Sequence, residues 1–292
     1  MKADLALRFD KNELRTQFNR RPFFVEHSLC GHELFELPRL IALARSQPAG
    51  CVEYNSGKLA PGQDPAATPM NGLSPEETIA RIRDCTSWMV IKFVEHDPAY
   101  GELLNTLIDG LLREAGSVVP EVQRRYGFIF ISSPGSVTPY HMDPEHNFLL
   151  QIRGDKHVHM WSPDDRFVLP EEQLETFYAD YQHRNLPYRP EFETSSFLLL
   201  LKPGKGLHFP VTAPHWVRNG DEVSVSFSIT FRSRVSDRRE FLYRTKARLR
   251  KAGMNPPAVG AHPNAEELLY RLARGWRAVR RVGRISGNEA HD

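Results

Sequence analysis

From Tyr126 onward the hydropathy of the chain alternates with a period of two, in short segments closed by turn residues, and no other feature constrains the fold as much. Alternation puts successive side chains on opposite faces of a strand, so each segment offers one face to a core. Strands are expected near 126–132, 137–143, 146–153, 156–161, 196–202, 206–210, 214–218 and 222–232, with turns at Pro134-Gly135, Gly154-Asp155, Pro203-Gly204 and Asn219-Gly220. Many short strands at this spacing imply a β-sandwich or a small barrel. The segment 164–192 interrupts the series and is expected to be an insertion over a mouth of the barrel.

The flanking segments read differently. Residues 1–125 are expected to supply α/β elements beside the core at 126–232. Ser74-Pro75-Glu76-Glu77 is a capping-box start for a helix to about Asp84, and Trp88 to Val94 is β-prone. Asp97-Pro98 opens a second helix, in which Leu103, Leu104, Leu107, Ile108, Leu111 and Leu112 repeat at three and four residues up to Gly116. Residues 233–292 form a basic region with Leu269, Leu272, Ala273, Trp276 and Val279 near helical spacing, read as a helix packed on its own domain or on a second subunit. The net charge of +2 gives no independent argument for nucleic acid, which is not expected as a partner. Cys30, Cys51 and Cys85 lack metal or redox spacing and read as reduced thiols. The acidic start offers no leader, and no apolar run approaches the ~18 residues of a membrane span. A cytoplasmic protein is expected.

The chemistry concentrates in Thr138-Pro139-Tyr140-His141-Met142-Asp143. Positions i and i+2 of a strand share a face, so His141 and Asp143 present an imidazole and a carboxylate to one point. Such a pair can be two ligands of a 2-His-1-carboxylate triad, which leaves positions open on Fe(II). Ala213-Pro214-His215-Trp216 offers the third. A bare His-x-Asp is also common as a hydrogen-bonded structural pair. The expected hairpin around Gly154-Asp155 sets 153 opposite 156, 151 opposite 158, 149 opposite 160 and 147 opposite 162. The face of His141 and Asp143 then also carries Asn147, Leu149, Gln151 and Lys156. A buried lysine needs an anion, and a 2-oxoacid carboxylate would provide one; a solvated lysine beside a turn is the plainer alternative. On the last strand, Ser224, Ser226, Ser228 and Thr230 form a hydroxyl face that looks to water or lines the cavity.

The run TPYHMDPEHNFLLQIRGDK resembles the iron-binding segment of the JmjC and cupin-like 2-oxoglutarate oxygenases, especially the branch containing the asparaginyl hydroxylase acting on hypoxia-inducible factor. The resemblance covers roughly residues 126–232. It implies a double-stranded β-helix (cupin/JmjC jelly-roll) core in a mainly β protein with flanking α-helices, and an Fe(II)- and 2-oxoglutarate-dependent dioxygenase. It implies iron on His141, Asp143 and His215, and the cosubstrate carboxylate on Thr138 and Lys156. Asn147 matches a polar cavity residue, and Ser228 stands where the family has Asn on its final strand. Retention of Asp143 argues against halogenase relatives. The reaction implied consumes O₂, yields succinate and CO₂, and oxidises a protein or peptide side chain or a small metabolite; a homodimer through C-terminal helices is implied too.

A non-catalytic cupin acting as a ligand sensor shares the triad and is the alternative, while 2-oxoglutarate-independent cupins draw on more histidines. By parity His157 and His159 face away from Lys156, beside Phe148 and Ile152, and with His146 read as structural. His208 is a candidate for supporting the metal ligands, and His183 reads as exposed. Nucleophile-elbow, P-loop and dinucleotide motifs are absent from the sequence.

Overall fold

A computed structural model describes residues 7–64, 67–180 and 186–274. His183, Trp276 and Val279 lie outside the described residues. The strands are β1 (Phe23–Glu26), β2 (Val52–Ser56), β3 (Ser87–Lys92), β4 (Val122–Ser132), β5 (Val137–His141), β6 (His146–Arg153), β7 (Lys156–Met160), β8 (Phe197–Leu201), β9 (Lys205–Phe209), β10 (His215–Asn219) and β11 (Ser224–Ser233). They form an antiparallel seven-stranded sheet in the order β1-β9-β6-β11-β4-β3-β2 and a four-stranded sheet in the order β5-β10-β7-β8. Two antiparallel sheets with flanking helices are the jelly-roll arrangement the resemblance implies. Residues before 126 contribute β1, β2 and β3 to the larger sheet.

The pairing corrects one expectation. Gly154-Asp155 is not the turn of a hairpin: β6 pairs with β9 and β11, whereas β7 pairs with β8 and β10 in the other sheet. Pro134-Gly135, Pro203-Gly204 and Asn219-Gly220 likewise join strands of different sheets. A turn signal specifies a reversal of the chain, and here each reversal also carries it from one layer to the other. The expected face survives because both sheets turn it inward. Leu149 of β6 and Val158 and Met160 of β7 pack in one cluster with Leu201, Leu207, Phe209 and Val217.

The other face of the seven-stranded sheet meets the helices α1 (Lys11–Gln17), α2 (Leu37–Ser46), α3 (Pro75–Ala80) and α4 (Pro98–Ala115). Helix α4 starts where its sequence dictates: Asp97 caps it by accepting from the Ala99 N–H at 3.0 Å, and Pro98 occupies its first turn. Leu103, Leu104, Leu107, Ile108 and Leu111 are buried against Ile129, Ile131, Phe227 and Phe231, at roughly 1.5–3 kcal/mol for each large side chain removed from water. Gly116, at φ +55°, ends the helix.

Two compact units divide the chain, one of residues 1–170 and 183–236 and one of 171–182 and 237–292. In the second, α5 (Glu171–Asp180) meets α6 (Arg234–Lys251) through stacked Tyr178 and Tyr243 rings, 5.4 Å apart, and through Arg250, which donates to both Glu175 carboxylate oxygens at 2.8 and 3.0 Å. Arg238 pairs with Glu267 at 3.1 Å, so arginines of the basic region are engaged within their own unit.

Candidate metal centre

His141 ends β5 and His215 begins β10, and the two are register partners. Opposed residues of an antiparallel pair share a face, which sets their rings 4.1 Å apart between centroids. Asp143 follows just beyond the end of β5. One ligand atom from each of the three lies within 4.8 Å of the others, and His215 Nε2 is 3.8 Å from Asp143 Oδ2. Each imidazole is held through its other nitrogen: His141 Nδ1 donates to the Pro139 carbonyl at 2.7 Å and His215 Nδ1 to the Ala213 carbonyl at 2.9 Å. A carbonyl can only accept, so Nδ1 carries the proton in both, and each Nε2 keeps its lone pair for a metal. The Asp143 carbonyl accepts from the Thr212 N–H at 2.8 Å, tying the two ligand-bearing loops together. Thr212 is buried at φ +63°, a strained conformation for a β-branched residue. Two neutral imidazoles and a carboxylate, pre-oriented, are a donor set that fits Fe(II).

Thr138 reaches the same face by an irregularity. Its distance of three residues from His141 would set the two on opposite faces of a regular strand, but Thr138 pairs with Val217 while His141 pairs with His215. Three residues of β5 thus span two of β10, and this bulge, at Pro139 and Tyr140, turns both side chains inward.

Lys156 opens β7 on the inward face, opposite Asn219. Its Nζ donates to Asn219 Oδ1 at 2.8 Å, and Asn219 Nδ2 donates in turn to the carbonyl and Oγ of Ser136, both at 2.9 Å. Burial pushes the lysine down to about 7, because its one hydrogen-bond acceptor among the described residues is a neutral amide. Asn219 lies four residues past His215, about 13 Å along the strand at ~3.3 Å per residue. Asn147 and Ser228 also face inward and are bonded to each other, Ser228 Oγ donating to Asn147 Oδ1 at 2.8 Å. Ser226 donates to Gln151 Oε1 at 2.7 Å, so the hydroxyl face of β11 lines the space between the sheets and not water.

All seven residues singled out from the sequence therefore look into one space. Asn219 had been visible only as a turn residue, although its even spacing from His215 is the signal that it shares the metal-ligand face. His157 and His159 do point away from Lys156, but their neighbours are not Phe148 and Ile152, which belong to the other sheet. His159 stacks on Trp216 at 3.9 Å between ring centroids and donates to Glu193 at 2.8 Å. His208 is no support to the metal ligands. It lies on the helix side against Phe18, Phe23 and Phe148, its Nδ1–H donating to the Asn147 carbonyl and its Nε2 accepting from the Asn19 N–H. Burial holds it down at about 3, in keeping with this neutral tautomer.

Residues 96–237, from the approach to α4 to the first turn of α6, match the model of the cupin-like domain family. Among curated proteins the chain is similar to lysine-specific demethylase 8 of Danio rerio, 34% identical over 102 residues, which are 33% of this chain and 24% of that protein. Jumonji C domain-containing protein 5 of Drosophila melanogaster is 29% identical over 111 residues, 35% of this chain and 26% of that protein. The similarity thus spans about a quarter of these relatives' length. Among solved structures, the ribosomal oxygenase YcfD of Escherichia coli in complex with cobalt and 2-oxoglutarate aligns at 15% identity and a TM-score of 0.45, covering 86% of this chain and 58% of that one. Among the described residues no helix is long and apolar enough to cross a membrane.

Proposed function

We propose that the cupin-like domain is the catalytic core of an Fe(II)- and 2-oxoglutarate-dependent dioxygenase that hydroxylates a protein or peptide side chain or a small metabolite. The observation that carries this reading is the pairing of two features in one space: three convergent metal-ligand atoms, and a buried lysine whose one hydrogen-bond acceptor among the described residues is a neutral amide. His141, Asp143 and His215 hold the iron. Lys156 and Thr138 hold the distal carboxylate of 2-oxoglutarate, and Asn147 and Ser228 line its path. With O₂, the bound iron and 2-oxoglutarate supply the oxidation: the 2-oxoacid becomes succinate and CO₂, taking one oxygen atom, and the second enters a C–H bond of the substrate as a hydroxyl. The chain's own part is to fix the imidazoles through their Nδ1–H bonds, to leave coordination positions open, and to set a cation at a fixed reach from the metal.

Similarity to a lysine-specific demethylase and to a Jumonji C protein supports a JmjC-type oxygenase, and a protein side chain as substrate follows by analogy. The likeness to the asparaginyl hydroxylase branch belongs to the same reading, as do a cytoplasmic location and a homodimer through the C-terminal helices. Leu268, Leu269 and Leu272, exposed on the helical turns at 263–274, suit such an interface. The test is Fe(II)-dependent conversion of 2-oxoglutarate to succinate by the full chain, with turnover lost in Asp143→Ala. Metal and 2-oxoglutarate binding without any succinate would instead favour the sensor.

A further inference from the structure

Three of the four sheet edges are covered in part by the chain itself. Beside β1, Arg8 and Glu26 exchange both backbone hydrogen bonds, at 2.9 and 2.7 Å. Beside β2, Ser56 N–H donates to the Pro69 carbonyl at 2.9 Å. Beside β5, the N–H groups of Val137 and Tyr140 donate to the Gly57 and Pro61 carbonyls at 3.0 and 2.8 Å. The fourth edge, β8, pairs with β7 alone among the described residues. An edge strand offers a row of backbone donors and acceptors, ordinarily blunted by charge, proline or a bulge. Phe197–Leu201, FLLLL, has none of these. Leu198 and Leu200 are 63% and 42% exposed, on the outer face of the smaller sheet beside their partners His159 and His157. An apolar edge so exposed marks an interaction surface.

What fits this edge is written in its own flanks. With the strand period of two, Ser196 and Lys202 continue the outer face on either side of the two leucines. Ser196 Oγ donates to Glu193 Oε2 at 3.3 Å, so a carboxylate stands at that end, held in place by Tyr188, Trp216 and His159 and still 31% exposed. The other end carries the exposed ammonium of Lys202. Laid antiparallel on a copy of itself about a two-fold axis at Leu199, β8 sets Leu198 against the Leu200 of the copy. The same register sets Lys202 against the Ser196 of the copy and the carboxylate of Glu193 beside it. A parallel copy would instead bring lysine to lysine and carboxylate to carboxylate.

We propose that β8 is an interface between copies of this chain, in which two β8 edges pair antiparallel about Leu199 and join the two smaller sheets into one. The inference needs neither metal nor 2-oxoacid, and the contact is distinct from the one proposed through the C-terminal helices. A strand pair of five residues is a small contact beside stable interfaces of ~1,200–2,000 Å², so the association is weak and rises with concentration.

The test uses the full chain with its exposed thiol removed as Cys30→Ser. Leu198→Cys and Leu200→Cys chains are prepared separately, then oxidised alone and as a mixture. Directly opposed Cβ atoms of an antiparallel pair stand ~4.5–5.5 Å apart, near disulfide reach, whereas diagonal neighbours at ~7–8 Å lie outside it. The mixture is therefore expected to give a disulfide joining the two variants, in large excess over what either gives alone. Hydrogen exchange across a dilution series of the parent reads the same contact without new cysteines, as amides of 197–201 that gain protection at high concentration. Leu198→Ser, which removes apolar area from both copies, is expected to shift that gain to about tenfold higher concentration. Lys202→Glu, which sets carboxylate against carboxylate, shifts it the same way. A mixture that cross-links no better than the separate chains, or protection of 197–201 that ignores concentration, overturns the inference and leaves the proposed function standing.

Discussion

Lys156 shows how a single residue links sequence, energetics and function. Its inward face was legible from strand parity, but its dependence on Asn219 was not, because that contact crosses between strands far apart in sequence. In the unfolded chain the ammonium titrates near its ordinary 10.5, whereas in the fold burial brings it down to about 7. Between those limits the unfolded chain binds more protons, so the stability of the ligand-free protein rises with pH from about 7 toward 10.5. Lys156→Met is expected to flatten that rise, as read by urea denaturation at pH 7, 8 and 9; parallel stability profiles would contradict the burial argument. A carboxylate beside Lys156 favours its charged form, so 2-oxoglutarate binding at pH 8 should take up protons. Calorimetry in buffers of different ionisation enthalpy checks this, and the uptake should vanish in Lys156→Met. Lys156→Ala should weaken 2-oxoglutarate about ten- to a hundredfold, with Lys156→Arg recovering part of the loss. The affinity for Mn(II) should stay near that of the parent.

Among the elements, alternation located the strands within a residue or two at most of their ends, and the capping residues located α3 and α4. What the pattern does not contain is the choice of partner. Four turn signals read as reversals prove to be crossings between layers, and the bulge that turns Thr138 and His141 to one side has no signature beyond Pro139. The larger sheet depends on close approach at β9, where a Cβ on Gly206 would stand 2.6 Å from Leu150 Cδ2 and 2.7 Å from Val25 Cγ2. Those side chains are themselves packed in the core, so Gly206→Ala is expected to destabilise the fold by about 1–3 kcal/mol, the usual range for overpacking. Urea denaturation measures this, and an unchanged midpoint would mean that the strand shifts freely.

For the whole molecule, the basic C-terminal region was legible as helical, whereas the grouping of 171–182 with it was not, since the Tyr178 and Glu175 contacts join segments far apart in the chain. Truncation after Ser236 removes Tyr243 and Arg250, so α5 should lose amide protection in hydrogen exchange and the truncated chain should aggregate or remain monomeric. Protection of 171–180 equal to that of the full chain would contradict this grouping. One metal and one 2-oxoacid are expected to share the space between the sheets. Calorimetric titration of the full chain with Mn(II) and then 2-oxoglutarate, in the absence of oxygen, tests it most directly. The expected result is one metal per chain, 2-oxoglutarate binding only after the metal, and loss of both in His141→Ala and Asp143→Ala with the fold retained. Unchanged metal stoichiometry in both variants, or 2-oxoglutarate binding that ignores the metal, would contradict it.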